Sequence, residues 1–143
     1  MNKPNPVIHF EMPYEDRDRM ASFYEHVFGW QTNKLGSEMG NYVVAMTSER
    51  EDMTKFPDKP GMIDGGFFKR AEENQHPSVV ISVPDIKVAM EKVKSAGGTV
   101  VESSLQNGEP MDIPGIGRYA GFTDTEGNRV SLLQPAEMEQ EET

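Results

Sequence analysis

Two ionisable side chains near the start of the chain have the types and the spacing needed for chemistry. His9 and Glu11 are separated by one residue in the apolar run Val7–Met12, so both would lie on one face of a strand. An imidazole there could bind a divalent metal, and Glu11 could act as a general base. A hydrogen-bonded histidine without a metal and a hydrated carboxylate at a strand end are the alternatives that stay open.

Two later strands carry polar residues on one face in the same way. Side-chain alternation in residues 78–83 and 129–134 separates an apolar face from a mixed one. The mixed face contains Ser78, Val80 and Ser82 in the first strand and Arg129, Ser131 and Leu133 in the second. Three strands with polar residues on their inner face predict a pocket for a small molecule.

Composition limits the classes of partner. The 143 residues are enough for one domain, and 24 acidic against 14 basic side chains give a formal net charge of −10. This charge argues against nucleic acid or an anionic membrane as partner. Cysteine is absent, so no disulfide or thiolate ligand is expected. No apolar run reaches the roughly 20 residues of a membrane span, and no secretory pattern is visible, which predicts a cytoplasmic protein.

The chain repeats one plan twice. Asp16 and Asp85 are predicted to start helices, and Gly29 and the pair Gly97–Gly98 to end them. Asp85 follows Asp16 by 69 residues, and Gly98 follows Gly29 by the same 69. The equal offsets indicate an internal duplication. The predicted apolar stripe of the first helix contains Met20, Phe23, Tyr24, Val27 and Phe28.

A strand precedes each helix, and three extended runs follow it. The predicted runs are Trp30–Leu35, Tyr42–Thr47 and Ile63–Phe68 in the first half, and Thr99–Leu105, Arg118–Thr123 and Arg129–Gln134 in the second. Residues 48–62 and 106–117 are predicted loops. The sequence therefore predicts one α+β domain over 1–143, built from a module at 6–70 and a module at 77–135. Residues 136–143 form an acidic tail that is expected to be disordered.

Three stretches resemble the vicinal oxygen chelate superfamily, which includes glyoxalase I, extradiol dioxygenases and bleomycin-resistance proteins. They are "HFEMPYEDRDRMASFYEHVFGW" (9–30), "VVISVPDIKVAMEKVKSAGGTV" (79–100) and "IPGIGRYAGFTDTEGNRVSLLQP" (113–135). Within the superfamily the chain is most similar to small glyoxalase-related proteins. The resemblance implies two tandem βαβββ modules whose mixed sheets form a cup-shaped, barrel-like cavity with the helices outside. It also implies a metal in the cup of many members and, commonly, a homodimer.

The resemblance also implies where metal ligands would stand. His9 falls at the position of a first-strand histidine ligand, seven residues before Asp16. The symmetric position is Ser78, and the position of the last-strand glutamate is Ser131. Serine hydroxyls are weak ligands for zinc, iron or nickel. The last strand of the first module offers only Asp64, so the metal site is predicted to be degenerate.

The favoured hypothesis is a module that binds a small organic molecule in its central cup. Its predicted pocket residues are His9, Glu11, Tyr42, Ser78, Val80, Arg118, Tyr119 and Ser131. Arg118, Tyr119 and Phe122 are expected to point inward from their strand.

Two other hypotheses stay open. The first is a lyase or dioxygenase-type enzyme that uses His9, a carboxylate (Glu11 or Asp64) and a divalent metal, namely zinc, iron, nickel or manganese. The same enzyme hypothesis includes a form without a metal, in which Glu11 or His9 is the general base. The second is an interaction subunit with a vestigial cup. Classical glyoxalase I is disfavoured, because serines replace two of its usual ligand types.

Overall fold

A computed structural model describes residues 3–50, 52, 57 and 59–136. The fold is α+β, as predicted, and the chain divides into two units. The first unit is Ile8–Ser78, and the second is Val79–Thr143 together with Met1–Val7. Among the described residues, no helix is long and apolar enough to cross a membrane. All but the first residue of the predicted acidic tail lies outside the described residues.

The first unit has the predicted βαβββ order. Its elements are β1 (Val7–Tyr14), α1 (Arg17–Phe28), β2 (Gln31–Lys34), β3 (Val43–Met46) and β4 (Asp64–Lys69), with a short 3₁₀ helix at Ser37–Met39. The strand order is β2-β3-β4-β1. β1 and β4 are parallel, whereas β3 pairs antiparallel with both of its neighbours. The register places His9 opposite Asp64 and Glu11 opposite Gly66.

The predicted signals at both ends of α1 are confirmed. The Asp16 side chain accepts a hydrogen bond from the backbone N–H of Arg19, and Gly29 ends the helix with a φ of 71°. The apolar stripe, however, is only partly buried. Met20 and Tyr24 pack against the core, whereas more than half of the surface of three other stripe residues is exposed: Phe23, Val27 and Phe28.

The second unit has the same plan with a hairpin inserted. Its elements are β5 (Ser78–Ser82), α2 (Ile86–Ser95), β6 (Thr99–Val100), a 3₁₀ helix (Glu102–Ser104), β7 (Leu105–Gln106), β8 (Glu109–Ile113), β9 (Gly117–Thr123) and β10 (Arg129–Pro135). The strand order is β5-β10-β9-β8-β7, and β6 also pairs with β9. β10 runs parallel to β5 and antiparallel to β9.

Three local predictions for this unit need correction. The expected strand Thr99–Leu105 stops at Val100, because a 3₁₀ helix follows. The expected loop 106–117 contains most of the β7–β8 hairpin, whose turn has positive φ values at Asn107 and Gly108. Asp85 caps α2 as predicted, but the helix ends at Ser95, so the 69-residue offset holds for the helix starts and not for their ends.

Candidate functional site

Side-chain alternation along β1 is as predicted. Phe10 and Met12 pack against the core cluster that includes Tyr14 and Phe67, together with Met20 and Tyr24 of α1. His9 and Glu11 therefore lie on the opposite face of the sheet. We call this face, in each unit, the helix-free face; in the first unit it carries His9, Glu11, Asp64 and Gly66.

The Tyr42 hydroxyl joins the two predicted β1 residues in one network. It donates a hydrogen bond to Glu11 Oε2 at 3.1 Å and lies 3.2 Å from His9 Nε2. Because a phenol has one proton, and that proton is directed to Glu11, the imidazole donates its Nε2–H to the Tyr42 oxygen. We call His9, Tyr42 and Glu11 the first-unit network. The structure thus brings together three of the predicted pocket residues.

Glycine at position 66 makes this arrangement possible. A Cβ atom there would lie 1.9 Å from the Tyr42 hydroxyl oxygen and 2.1 Å from its Cζ. The ring therefore lies directly against the backbone of β4, where any side chain would displace it. Gly65 has the same role on the other face, since a Cβ there would lie 2.2 Å from the Phe10 ring.

Burial sets the protonation state of His9. Desolvation lowers the pKa of His9 below its usual value, and the negative charge of Asp64 opposes this by raising it. Desolvation is the larger effect, so the ring is neutral at pH 7. A neutral imidazole agrees with the direction of the hydrogen bonds, in which Nε2–H is a donor to Tyr42.

Asp64 is held in a buried ion pair with Arg50. Arg50 Nη1 lies 2.6 Å from Oδ2 and Nη2 lies 2.7 Å from Oδ1, and Oδ1 also accepts from the Thr47 backbone N–H at 3.2 Å. The side chains are only 2% (Arg50) and 13% (Asp64) exposed. Both carboxylate oxygens are therefore engaged by protein donors.

These residues do not fit a resident divalent metal. The Nε2 atom of His9 faces a tyrosine hydroxyl, and both oxygens of Asp64 bind a guanidinium. Within the described part of the chain, no group of three or more histidine, cysteine, aspartate or glutamate side chains is placed to hold a metal ion. Structural and catalytic zinc sites have at least three such protein ligands.

In the second unit Ser131 has a phenol as partner. Ser131 is 2% exposed, and its Oγ lies 2.7 Å from the Tyr119 hydroxyl. Val80, which is also buried, pairs with Ser131 in the β5–β10 register. Leu132 packs on the opposite side with the α2 core. The buried Ser131 is thus satisfied by a hydrogen bond on the helix-free face.

Two residues expected on this inner face lie on the other side of β9. Ala120 and Phe122 pack with the α2 core cluster, so alternation places Arg118 on that side as well and Tyr119 on the helix-free face. The residue opposite Arg118 is Gln134, whose side chain accepts a hydrogen bond from the first N–H of α2. Ser78 begins β5 and is half-buried.

Sequence reasoning missed three residues that shape these groups. Arg50 lies in a region predicted as loop, and no pattern links it to Asp64. No sequence pattern marks Gly66, because the need for glycine there comes from the Tyr42 ring that packs on it. Alternation places Arg129 on the inner face, but the sequence indicates no role for it. Its guanidinium lies against Gly121, where a Cβ would be 2.5 Å from Nη2.

Comparisons with known proteins agree with this fold. The sequence profile of the glyoxalase/bleomycin resistance protein/dioxygenase superfamily matches residues 7–132. "Putative glyoxylase CFP32" of Mycobacterium bovis is 29% identical over 138 residues, which cover 95% of this chain and 46% of that protein. The chain therefore spans about half the length of this relative. A "glyoxylase-like domain-containing protein" of Didymella fabae is 30% identical over 122 residues, covering 82% of this chain and 84% of that protein.

Solved structures with the same fold include enzymes. A methylmalonyl-CoA epimerase in complex with methylmalonyl-CoA and NH4+ superposes with a TM-score of 0.64 at 14% identity, over 92% of this chain and 95% of that chain. The methylmalonyl-CoA epimerase of Mycobacterium tuberculosis gives a TM-score of 0.62 at 14% identity, over 95% of this chain and 93% of that chain. At this identity the likeness establishes the fold alone.

Proposed function

This chain belongs to the glyoxalase/bleomycin resistance protein/dioxygenase superfamily, and on that premise we propose that it binds a small organic molecule at the first-unit network. The observation that carries the proposal is the Tyr42 hydroxyl, which lies 3.2 Å from His9 Nε2 and 3.1 Å from Glu11 Oε2. Binding sites combine an apolar wall with a few fixed polar groups, and this network supplies such groups.

The chemistry of the network indicates which ligand groups it would accept. Glu11 contributes a negative charge, while His9 is neutral because burial lowers its pKa. A ligand hydroxyl, amide or amine would donate to the carboxylate, whereas an anionic group would be repelled by it. Binding by a rigid tyrosine loses little side-chain entropy, since its ring is already fixed against Gly66.

The remaining predicted pocket residues stay predictions. They are Ser78, Val80, Tyr119 and Ser131. The predicted homodimer and the cytoplasmic location also stay predictions. Size-exclusion chromatography with light scattering tests the dimer, for which a single species of about 32 kDa, twice the 16.0 kDa chain, is expected.

We propose that binding requires no resident divalent metal, because Tyr42 and Arg50 already engage the donor atoms of His9 and Asp64. Elemental analysis of the purified protein for zinc, iron, nickel and manganese tests this. Substoichiometric metal is expected. One equivalent of metal that is lost in His9→Ala would instead support the metal-dependent lyase or dioxygenase hypothesis.

The network also favours a second candidate, proton transfer without a metal. Glu11 would act as general base, and the Tyr42 hydroxyl would hold that carboxylate in position. The structures of similar fold include methylmalonyl-CoA epimerases, which adds an enzyme to the candidates but names no substrate for this chain. A ligand that the protein also converts, with conversion lost in Glu11→Gln while binding persists, would establish this candidate.

A matched pair of tyrosine variants tests the binding proposal. A library of neutral and basic aromatic compounds is screened by saturation-transfer NMR, and hits are titrated calorimetrically. Tyr42→Phe removes the hydroxyl from the network, and affinity should fall about 10-fold or more. Tyr24→Phe removes a hydroxyl from the helix side of the same unit and should leave affinity unchanged. Equal effects of the two variants, or no saturable binding in the library, would contradict the proposal.

A further inference from the structure

The exposed side of α2 carries a shallow groove. It is lined by Lys87, Val88, Glu91, Lys92 and Ser95, and we call it the α2 groove. The opposite side of the helix packs in the core cluster of the second unit. Val88 is apolar but 49% exposed, so it contributes an uncovered aliphatic surface between charged side chains. Covering such a side chain with another apolar group is favourable.

The charges in and beside the α2 groove do not cancel. Lys87 Nζ lies 2.7 Å from Glu109 Oε1, and Lys94 Nζ lies 3.3 Å from Glu91 Oε2. In the part of the chain that the structure describes, no carboxylate pairs with Lys92. Three lysines thus stand against two glutamates, which leaves one positive charge in a chain whose net charge is −10. This surface attracts a negatively charged segment.

The last strand of the second unit brings the chain to the start of α2. β5 and β10 are parallel, so both end at the same edge of the sheet, where α2 follows β5. The Gln134 side chain accepts a hydrogen bond from the backbone N–H of Ile86, the first residue of α2, at 2.9 Å. The Ala136 N–H donates to the Ile116 carbonyl at 2.9 Å. The segment after Ala136 therefore begins next to the first turn of α2.

The segment that follows Ala136 has the length and the composition to cover the α2 groove. Residues 137–143 read "EMEQEET", with four glutamates, no basic residue and one apolar side chain, Met138. Seven fully extended residues span about 23–25 Å, whereas the ten residues of α2 are about 15 Å long. The segment can therefore reach every residue of the groove.

We propose that residues 137–143 dock in the α2 groove of the same chain, with glutamates beside Lys87 and Lys92 and with Met138 on Val88. Each exposed ion pair contributes little by itself. Covalent attachment next to the groove gives the segment a high effective concentration, so weak contacts are enough. An acidic segment of this composition forms no core of its own, which makes a surface of opposite charge a suitable partner. The proposal uses no residue of the first-unit network and does not depend on it.

A spin label in the segment tests the docking on the full-length chain. Because the sequence contains no cysteine, Gln140→Cys provides a single site for a nitroxide. Paramagnetic relaxation of the backbone amides is then measured by ¹⁵N NMR. Docking predicts fast relaxation at Val88, Glu91 and Lys92 at low salt. Relaxation there should slow markedly in about 1 M salt, where the screening length is about 3 Å.

Charge variants separate docking from mere tethering, since an undocked segment would also pass near α2. Lys92→Gln should lower the ratio of docked to free segment about twofold, and replacement of all four glutamates of the segment by glutamine should lower it further. Lys69→Gln removes the same charge from an exposed position of β4 and should have no effect. Relaxation at Val88 that is the same with charged and neutral segments, or the same at low and high salt, would overturn the proposal. Relaxation of a ¹⁵N-labelled chain by a separate spin-labelled chain would overturn it too, because docking would then occur between molecules.

Discussion

Substitution of Gly66 by alanine tests whether the first-unit network depends on a missing side chain. The added Cβ would lie 1.9 Å from the Tyr42 oxygen and 2.1 Å from Cζ, so the whole ring has to leave. Tyr42 then loses its hydrogen bond to the Glu11 carboxylate, about 1.5–3 kcal/mol, and the one to His9, about 1 kcal/mol. Alanine in a strand regains roughly 0.5–1 kcal/mol relative to glycine. The expected loss in the free energy of unfolding is therefore about 1.5–3.5 kcal/mol.

A double-mutant cycle in urea gives the decisive measurement. Tyr42→Phe keeps the ring and removes the hydroxyl, so it should cost about 2.5–4 kcal/mol in the wild-type background. In the Gly66→Ala background the ring is already displaced, and the same substitution should cost almost nothing. Gly65→Ala is the matched control, because its Cβ would meet Phe10 on the other face and should leave the cost of Tyr42→Phe unchanged. Strictly additive effects of Gly66→Ala and Tyr42→Phe would refute the reasoning.

Further predictions concern charge and capping. Arg50→Gln leaves the buried Asp64 carboxylate without its guanidinium partner. The free energy of unfolding, measured in urea, should therefore fall by about 3–5 kcal/mol. A loss below about 1 kcal/mol would contradict a buried ion pair. The folded-state pKa of His9 is lowered, so the unfolded chain binds more protons, and stability should decrease as the pH falls from the usual histidine pKa of 6.5 through the folded-state value. NMR titration should find the pKa of His9 below the usual histidine value of 6.5, and His9→Gln should remove this part of the pH dependence. A His9 pKa of 6.5 would abolish the expected dependence, and a higher one would reverse its sign. Asp85→Ala removes the α2 cap, so the free energy of unfolding should fall by about 1 kcal/mol. Asp85→Asn, whose side chain can also cap the helix, should retain most of that stability. A substitution at a surface position away from the cap should not restore it.

The parts of the fold that local patterns determine were predictable from the sequence. Alternation in β1 predicts that His9 and Glu11 share one face of the sheet, because the apolar Phe10 and Met12 pack on the other face, against the helix side. Asp16 was recognised as a helix cap because a carboxylate before an apolar stripe satisfies free backbone N–H groups. Both conclusions need only neighbouring residues.

The rest depends on contacts between distant residues. Tyr42 reaches His9 only because Gly66, 24 positions later, lacks a side chain, and no periodicity in the sequence encodes this. Arg50 reaches Asp64 from a loop, where side-chain directions follow no simple repeat. Phe23 belongs to the predicted apolar stripe, but the sheet covers only part of the apolar arc of α1, so this ring is more than half exposed.

The two adjacent glycines of β4 have no side chain to cover the backbone. The Phe10 ring packs on the backbone at Gly65, and the Tyr42 ring packs on it at Gly66. Glycine is a poor strand former, so β4 depends on these rings to shield its backbone from water. Any event that swings Tyr42 aside, such as a ligand taking over its hydrogen bonds, would uncover the main chain at Gly66. The rate of amide hydrogen exchange at Gly66 would then report how often the Tyr42 ring moves away from the strand.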